Sequence, residues 1–204
     1  MPLFRQNGDT MKHLILVTSP PASGKTYISK QLAKRLNHVV YLDKDSLIPL
    51  SKRVFIAANE EINRSSDFFE ENVRNYEYDV IVDIALEALE YEDLVLINAP
   101  FTREIRDESY ISSLKERLAS VNAQLTVVWI VTDVEVCRQR MIARNSDRDT
   151  WKIEHWDEYI ATRDYKTPDL PALQDCLVIF NNSSDEEYEE SMERIANYLT
   201  SQGI

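Results

Sequence analysis

Five short apolar runs punctuate the chain: "HLILV" from His13 to Val17, "VVYL" from Val39 to Leu42, "LVLI" from Leu94 to Ile97, "LTVVWIV" from Leu125 to Val131 and "CLVIF" from Cys176 to Phe180. They are rich in β-branched residues and do not alternate with polar positions. Strands buried on both faces read this way, and the runs predict a parallel sheet. Helical periods lie between them: Ile28, Leu32 and Leu36 share one face, then Ile111, Leu114, Leu118 and Val121, and finally Tyr188, Met192, Ile195 and Leu199. Capping-box patterns at Thr132 to Glu135 and Ser184 to Glu187 predict two helix starts. The stretch from Ser65 to Glu92 is ambiguous, because "VIV" at Val80 to Val82 resembles a strand, whereas Phe69, Val73, Tyr76, Val80, Ile84 and Ala88 keep a helical period. It is read as one or two helices. The predicted order is β-α-β, a long helical segment, then β-α-β-α-β-α, with helices on both faces of five parallel strands. "DYKTPDLPALQD", Asp164 to Asp175, reads as a linker, since its prolines and the residues before them resist helix and central strand.

Length and charge narrow the class. The 204 residues suffice for one α/β domain and not for two full-sized ones. Asp and Glu number 35 against 23 Lys and Arg, a formal charge of -12, which makes nucleic acid an unlikely partner unless basic residues cluster locally. Cys137 and Cys176 show neither Cys-x-x-Cys nor Cys/His spacing and read as two reduced thiols. No apolar run approaches the ~18 residues of a membrane span, and "MPLFRQNGDTMKH" lacks a signal-peptide core, so a cytoplasmic protein without membrane attachment is expected.

The first strand runs into Ser19, Pro20, Pro21, Ala22, Ser23, Gly24, Lys25, Thr26. A phosphate-binding loop reads G-x-x-x-x-G-K-[ST] between strand and helix, because backbone N–H groups and a helix N-terminus must face the anion. Only the first position departs, Ser19 standing for glycine. A positive φ there would cost roughly 1–2 kcal/mol, which a packed domain can absorb. Gly24 is the more demanding position, and it is kept. The loop predicts a P-loop NTPase fold that binds ATP through Ser19, Ala22, Ser23, Gly24, Lys25, Thr26 and Tyr27, with Lys25 on the β and γ phosphates and the Thr26 hydroxyl on Mg2+.

Phosphoryl transfer to an alcohol needs a base or orienting group beyond the carboxyl end of a neighbouring strand. "YLDKDSLIPL" offers Asp43 and Asp45 there, either as site carboxylates or as parts of an Asx-type turn. "LVLINAPF" ends in Asn98 where a Walker B strand has a metal-supporting acid. Either Asp43 or Asp45 then supplies the charge, Asp43 being the metal candidate beside Thr26, or metal binding rests mainly on Thr26 and the nucleotide phosphates, and Asn98 either faces substrate or caps the next turn. Arg103, at the head of the following helix, is a candidate for an anionic substrate group or an exposed helix-start arginine. Phe68, Phe69, Arg74, Tyr76 and Tyr78 lie where an acceptor would sit, although this spacing is equally that of core.

"CRQRMIARNSDRD" concentrates four arginines in an acidic chain. On a continuous helix Arg140, Arg144 and Arg148 line one side, as in a lid that closes on phosphates. Asp133, Glu135, Asp147 and Asp149 permit the alternative of surface ion pairs. Trp151, Trp156 and Tyr159 follow, to pack this lid or to stack on a ligand.

"SPPASGKT", "LDKDSLI", "INAPF" and "CRQRMIARNSDRDTWK" together resemble the AAA-type P-loop kinase group that includes zeta toxins, chloramphenicol phosphotransferase and the kinase domain of polynucleotide kinases. The resemblance covers roughly His13 to Phe180. It implies that Asp45 acts on a substrate hydroxyl and that Asn182 or Ser183, in "FNNSSD", touches the adenine, while Arg144 and Arg148, then Arg140, are the lid arginines expected on the nucleotide phosphates beside Lys25. The expectation is one P-loop kinase-like domain over 1–204, with a helical insertion at about 46–92 and an arginine-rich lid at about 133–165. Its activity would be ATP-dependent transfer to a hydroxyl or phosphate of an unidentified small-molecule acceptor. Nucleoside or nucleotide phosphorylation and a non-catalytic ATP-binding regulatory module are the alternatives.

Overall fold

The computed structural model describes residues 11–146 and 149–202. Strand β1 (Lys12–Thr18) leads through the loop to helix α1 (Lys25–Arg35), β2 (Val39–Asp43), a 3-10 turn (Lys44–Leu47) and α2 (Ile48–Ala58). A short α3 (Asp67–Phe69) runs through a π turn (Glu70–Arg74) into α4 (Asn75–Ala88), followed by β3 (Leu94–Asn98). Then come α5 (Glu108–Ser120), β4 (Ala123–Val131), α6 (Val134–Arg144), α7 (Thr150–Glu154), α8 (Trp156–Ala161), β5 (Leu177–Asn181) and α9 (Asp185–Ser201). The sheet order is β2-β3-β1-β4-β5, all parallel, so each apolar run became a strand as its composition predicted. No helix among the described residues is long and apolar enough to cross a membrane.

Alternate residues of the central strands serve two cores. Leu14, Leu16, Val95, Ile97, Val127 and Trp129 pack under α4 and α5, while Ile15, Val17, Leu96, Val128, Ile130 and Phe180 pack under α1 and α9. This double burial is why the runs show no polar alternation. β1 lies between β3 and β4, so the turn leaving it emerges at the middle of the sheet's carboxyl edge, where ligands of open α/β folds bind.

Three local expectations shift. The Ser65 to Glu92 stretch is helical, "VIV" included, but Tyr76, Val80 and Ile84 face solvent, and Tyr78, Ile81, Val82 and Ala85 face the core. The π turn at Glu70–Arg74 adds a residue to the helical repeat and rotates the buried stripe, so Phe69 and Val73 instead join Phe55 in a separate small cluster. At the start of α6 the capping residue is Asp133, which accepts from the N–H groups of Glu135 and Val136, while Thr132 donates its hydroxyl to the Ser23 carbonyl. A shorter carboxylate cap with two acceptors displaces the predicted box. At α9 Ser184 caps as expected, accepting from the Glu187 N–H. Finally, α6 stops at Arg144 because Asn145 takes a left-handed conformation (φ 46°, ψ 51°), so the continuous helix expected through Arg148 does not form. Arg148 and Asp147 lie outside the described residues.

Candidate active site at the phosphate loop

The loop between β1 and α1 resolves the Ser19 question. Positive φ falls on Ala22 (65°) and Gly24 (87°), and Ser19 is not among the positive-φ residues. Serine therefore carries no left-handed strain. Its hydroxyl donates to the Pro20 carbonyl at 2.9 Å, and Ser23 Oγ donates to the same oxygen at 3.0 Å, tightening the turn from within. Ala22 tolerates its conformation because its methyl packs against the lid cluster of Met141, Trp156 and Tyr159. From outside, Thr132 Oγ1 and Asn182 Nδ2 both donate to the Ser23 carbonyl, at 3.2 and 2.8 Å. Among the described residues no protein acceptor takes the N–H of Ala22, Ser23 or Gly24, which leaves these donors for an anion at the N-terminus of α1.

Gly24 is required twice. Its φ suits glycine, and a Cβ there would lie 2.6 Å from Asn182 Nδ2 and 3.6 Å from Arg140 Nη1. Arg140 in turn donates from Nη2 to the Asn182 carbonyl at 2.8 Å, while its buried Nη1 has no partner. Asn182 thus braces the loop from behind with its side chain and holds Arg140 with its backbone.

Asn98, at the end of β3, is a buried junction under the loop. Its Oδ1 accepts from Lys25 Nζ at 2.6 Å and from Ser29 Oγ at 3.2 Å, and its Nδ2 donates to Asp43 Oδ2 at 2.9 Å and Thr26 Oγ1 at 3.4 Å. A neutral amide can do this because it both accepts from a cation and donates to a carboxylate. Burial lowers the Lys25 pKa to about 8, against the opposing pull of Asp45 and Asp43. Asp43 also accepts the Asp45 N–H at 3.0 Å, the Asx-type turn foreseen as one reading of these two acids, while Asp45 lines the cavity over the loop.

A cavity of about 450 Å³ opens over the loop, lined by Gly24, Lys25, Thr26, Asp45, Arg140 and Arg144 among others, with Ser19, Ala22 and Tyr27 also on its wall. The fold brings most of the foreseen site residues to this one place. Arg144 donates from Nε and Nη2 to Asp149 Oδ2, and Lys152, also at the cavity, donates to Asp149 Oδ1 at 2.9 Å. The fully buried Asp149 thereby ties the end of α6 to α7 by ion pairs with Arg144 and Lys152. Burial would raise its pKa, but Lys152 and Arg144 outweigh that and lower it. Trp156 and Tyr159 pack against Met141 of α6, whereas Trp151 stays half exposed and stacks on His155 with centroids 4.9 Å apart. Arg103 stands apart from the loop cavity, its guanidinium paired in two hydrogen bonds with Glu70.

Sequence reading missed two supports. Lys44, next to Asp45, is buried and donates to Glu77 Oε2 at 2.7 Å, and the same carboxylate takes Ser51 Oγ and both Nη groups of Arg64. Burial would raise the Glu77 pKa, but these donors hold it down to about 2. The other is Asp149, foreseen only as an acidic neighbour of the arginines. No signal in the sequence separates a buried carboxylate from the exposed ones beside it.

A family model described as an AAA domain matches residues 14–165. No curated protein matches the chain. Among solved structures it is similar to a protein described as a kinase from Chloroflexus aurantiacus J-10-fl, with 18% identity, TM-score 0.62, and coverage of 96% of this chain and 100% of that one. It is also similar to a sugar kinase from Janibacter sp. HTCC2649, with 13% identity, TM-score 0.55, and coverage of 93% and 95%. A gluconokinase from Sinorhizobium meliloti 1021 aligns at 14% identity and TM-score 0.53, over 96% and 99%. At such identities the likenesses speak for the fold. An AAA domain implies ATP at the loop just described, whose free N–H groups and cationic lining suit a polyphosphate. With the motif, the sheet order and the family match all falling on the same residues, the chain belongs to the AAA-domain family of P-loop nucleotide-binding proteins.

Proposed function

We propose that the protein is an ATP-dependent phosphotransferase, a small-molecule kinase that moves the γ-phosphoryl group of ATP to a hydroxyl acceptor in the cytoplasm. One observation supports it most: the Asp45 carboxylate lines the same cavity as Lys25, Arg140 and Arg144, next to the loop donors. A binding module needs the cations and the loop, but has no use for a carboxylate facing them. In this reading Asp45 takes the proton of the acceptor hydroxyl as the oxygen forms its bond to the γ-phosphorus. The bond from that phosphorus to the β,γ-bridging oxygen breaks, its electron pair staying on ADP. Lys25 and Arg144 stabilise charge on the transferring oxygens, and the loop amides hold the phosphates in line.

Thr26 Oγ1 and Asp43 Oδ2 both receive the Asn98 amide, which brings a hydroxyl and a carboxylate oxygen together. These are hard oxygen donors that fit Mg2+, which keeps several waters and needs few protein ligands. When bound, Mg2+ would neutralise charge between the β and γ phosphates. Asn98 contributes orientation rather than charge.

Asp45→Ala is expected to bind ATP as the wild type does and to lose transfer by at least about a hundredfold, as removal of a general base does. Labelled ATP with a panel of hydroxylated acceptors checks this. Acceptor-dependent turnover unchanged in the variant would remove Asp45 from the reaction, and tight ATP binding with no acceptor-dependent ADP release across the panel would favour the regulatory-module reading.

A further inference from the structure

A second cavity, of about 590 Å³, adjoins the first and shares Pro20, Pro21, Pro100 and Lys152 with it. It sits between the lid and the turn after β3, where an acceptor beside the γ-phosphate would lie. Its charged lining is lopsided: Arg74, Arg103, Arg106, Lys152 and Arg163 against the single carboxylate of Asp164. In a chain of net charge -12 this is a local concentration of the minority sign.

Their partners sort these cations. Arg106 is fully engaged, donating to Asp164, to the Thr102 carbonyl and to the Lys166 carbonyl. Arg103 is engaged by Glu70 at the rim. Lys152 is held by Asp149. Arg74 is paired through Nη1 with Glu104 Oε1 at 2.8 Å, its side chain only 11% exposed, its guanidinium 4.5 Å from the Tyr78 ring centroid. Arg163 lies over the Tyr159 ring at 5.4 Å and has no carboxylate partner among the described residues. Four carboxylates thus answer five cations. The cation without a carboxylate is Arg163, which lines the same cavity as Arg74.

Resting on the kinase reading above, we infer that the acceptor carries an oxyanion, a carboxylate or a phosphate monoester, separate from its reacting hydroxyl, and that Arg163 and Arg74 bind this group across the second cavity. A guanidinium suits both anions through paired N–H donors. The hydroxyl then points to the loop cavity and Asp45, and the anion joins the lid to the core. A neutral polyol would gain nothing from Arg163 and Arg74. The bond-making and bond-breaking at the hydroxyl are those given above.

The test separates the two readings by loading the loop first. Binding of Mg2+ and the β,γ-imido analogue of ATP is measured by calorimetry; absence of binding overturns the kinase reading and this inference with it. On the analogue-loaded protein, whose γ-phosphate position is filled, inorganic phosphate and acetate are each added at constant ionic strength. At about ten times its dissociation constant, at least one anion is expected to raise the melting temperature by about 3 °C. Phosphate alone acting indicates a phosphate ester, acetate acting indicates a carboxylate. Arg163→Ala should lose the rise and Arg163→Lys keep part of it, with analogue affinity unchanged in both. Analogue binding with no anion effect in the wild type, or an equal effect in Arg163→Ala, overturns the inference and leaves the kinase reading standing.

Discussion

The two cavities are built differently, and the difference explains what each can tolerate. The loop cavity draws its donors from one continuous stretch, Ser19 to Thr26, supplemented by α6, and its backbone geometry is fixed by Gly24, Ala22 and the Ser23 carbonyl contacts. The neighbouring cavity is made of side chains from the π turn, the turn after β3 and the segment after α8, with Arg74, Arg103 and Arg106 aimed by ion pairs and Arg163 lying over the Tyr159 ring. Main-chain donors suit a generic polyphosphate, and side-chain cations suit a partner of one particular shape and charge. The same division between fixed and adaptable parts runs through phosphate sites generally.

The sharpest way to break the first cavity alone is at Lys25. Lys25→Met removes the cation proposed to stabilise the transferring phosphoryl group, and turnover should fall about a thousandfold, as loss of one donor to developing charge does. Acceptor-dependent ADP release measures this, and anion binding in the second cavity should survive.

Next in size is Glu77→Gln, which acts on the buried cluster of Lys44, Ser51 and Arg64 behind Asp45. The carboxylate is only 4% exposed and answers Lys44 and Arg64, so its neutralisation leaves a buried ammonium unpaired. A loss of about 3 kcal/mol in stability is expected from denaturant unfolding. The sign of its pH dependence follows from the depressed pKa. The folded carboxylate titrates at about 2 and the unfolded one near 4.5, so its contribution is present above 4.5 and lost as pH falls toward 2. The variant should lack that acid-limb decline. An unchanged decline would show that Glu77 is not the group responsible.

How far each cavity could be read from sequence follows from the same contrast. Strand runs and the Gly24-Lys25-Thr26 turn are local signals, and the structure puts them where their composition points. The exposed stripe of Tyr76, Val80 and Ile84 was misread because a π turn changes the helical phase without any mark in hydrophobicity. Asn98 looked like a defect in metal binding, and only its four hydrogen bonds reveal a junction between Lys25, Ser29, Asp43 and Thr26. Arg74, Arg106 and Arg163 converge from positions tens of residues apart, and nothing in their spacing distinguishes them from surface arginines. Asp149 is hidden for the same reason, since its burial depends on a chain reversal at Asn145.

The smallest expected effect falls on the most direct test, the affinity of the loop for nucleotide. Calorimetric titration of ATP with Mg2+ into the intact protein should show saturable binding at one site. Gly24→Ala should bind at least about tenfold more weakly, because a left-handed alanine strained by roughly 1–2 kcal/mol and crowding Asn182 must shift the loop donors. No binding by the wild type, or equal affinity in the two proteins, would contradict the account of this loop as the polyphosphate site.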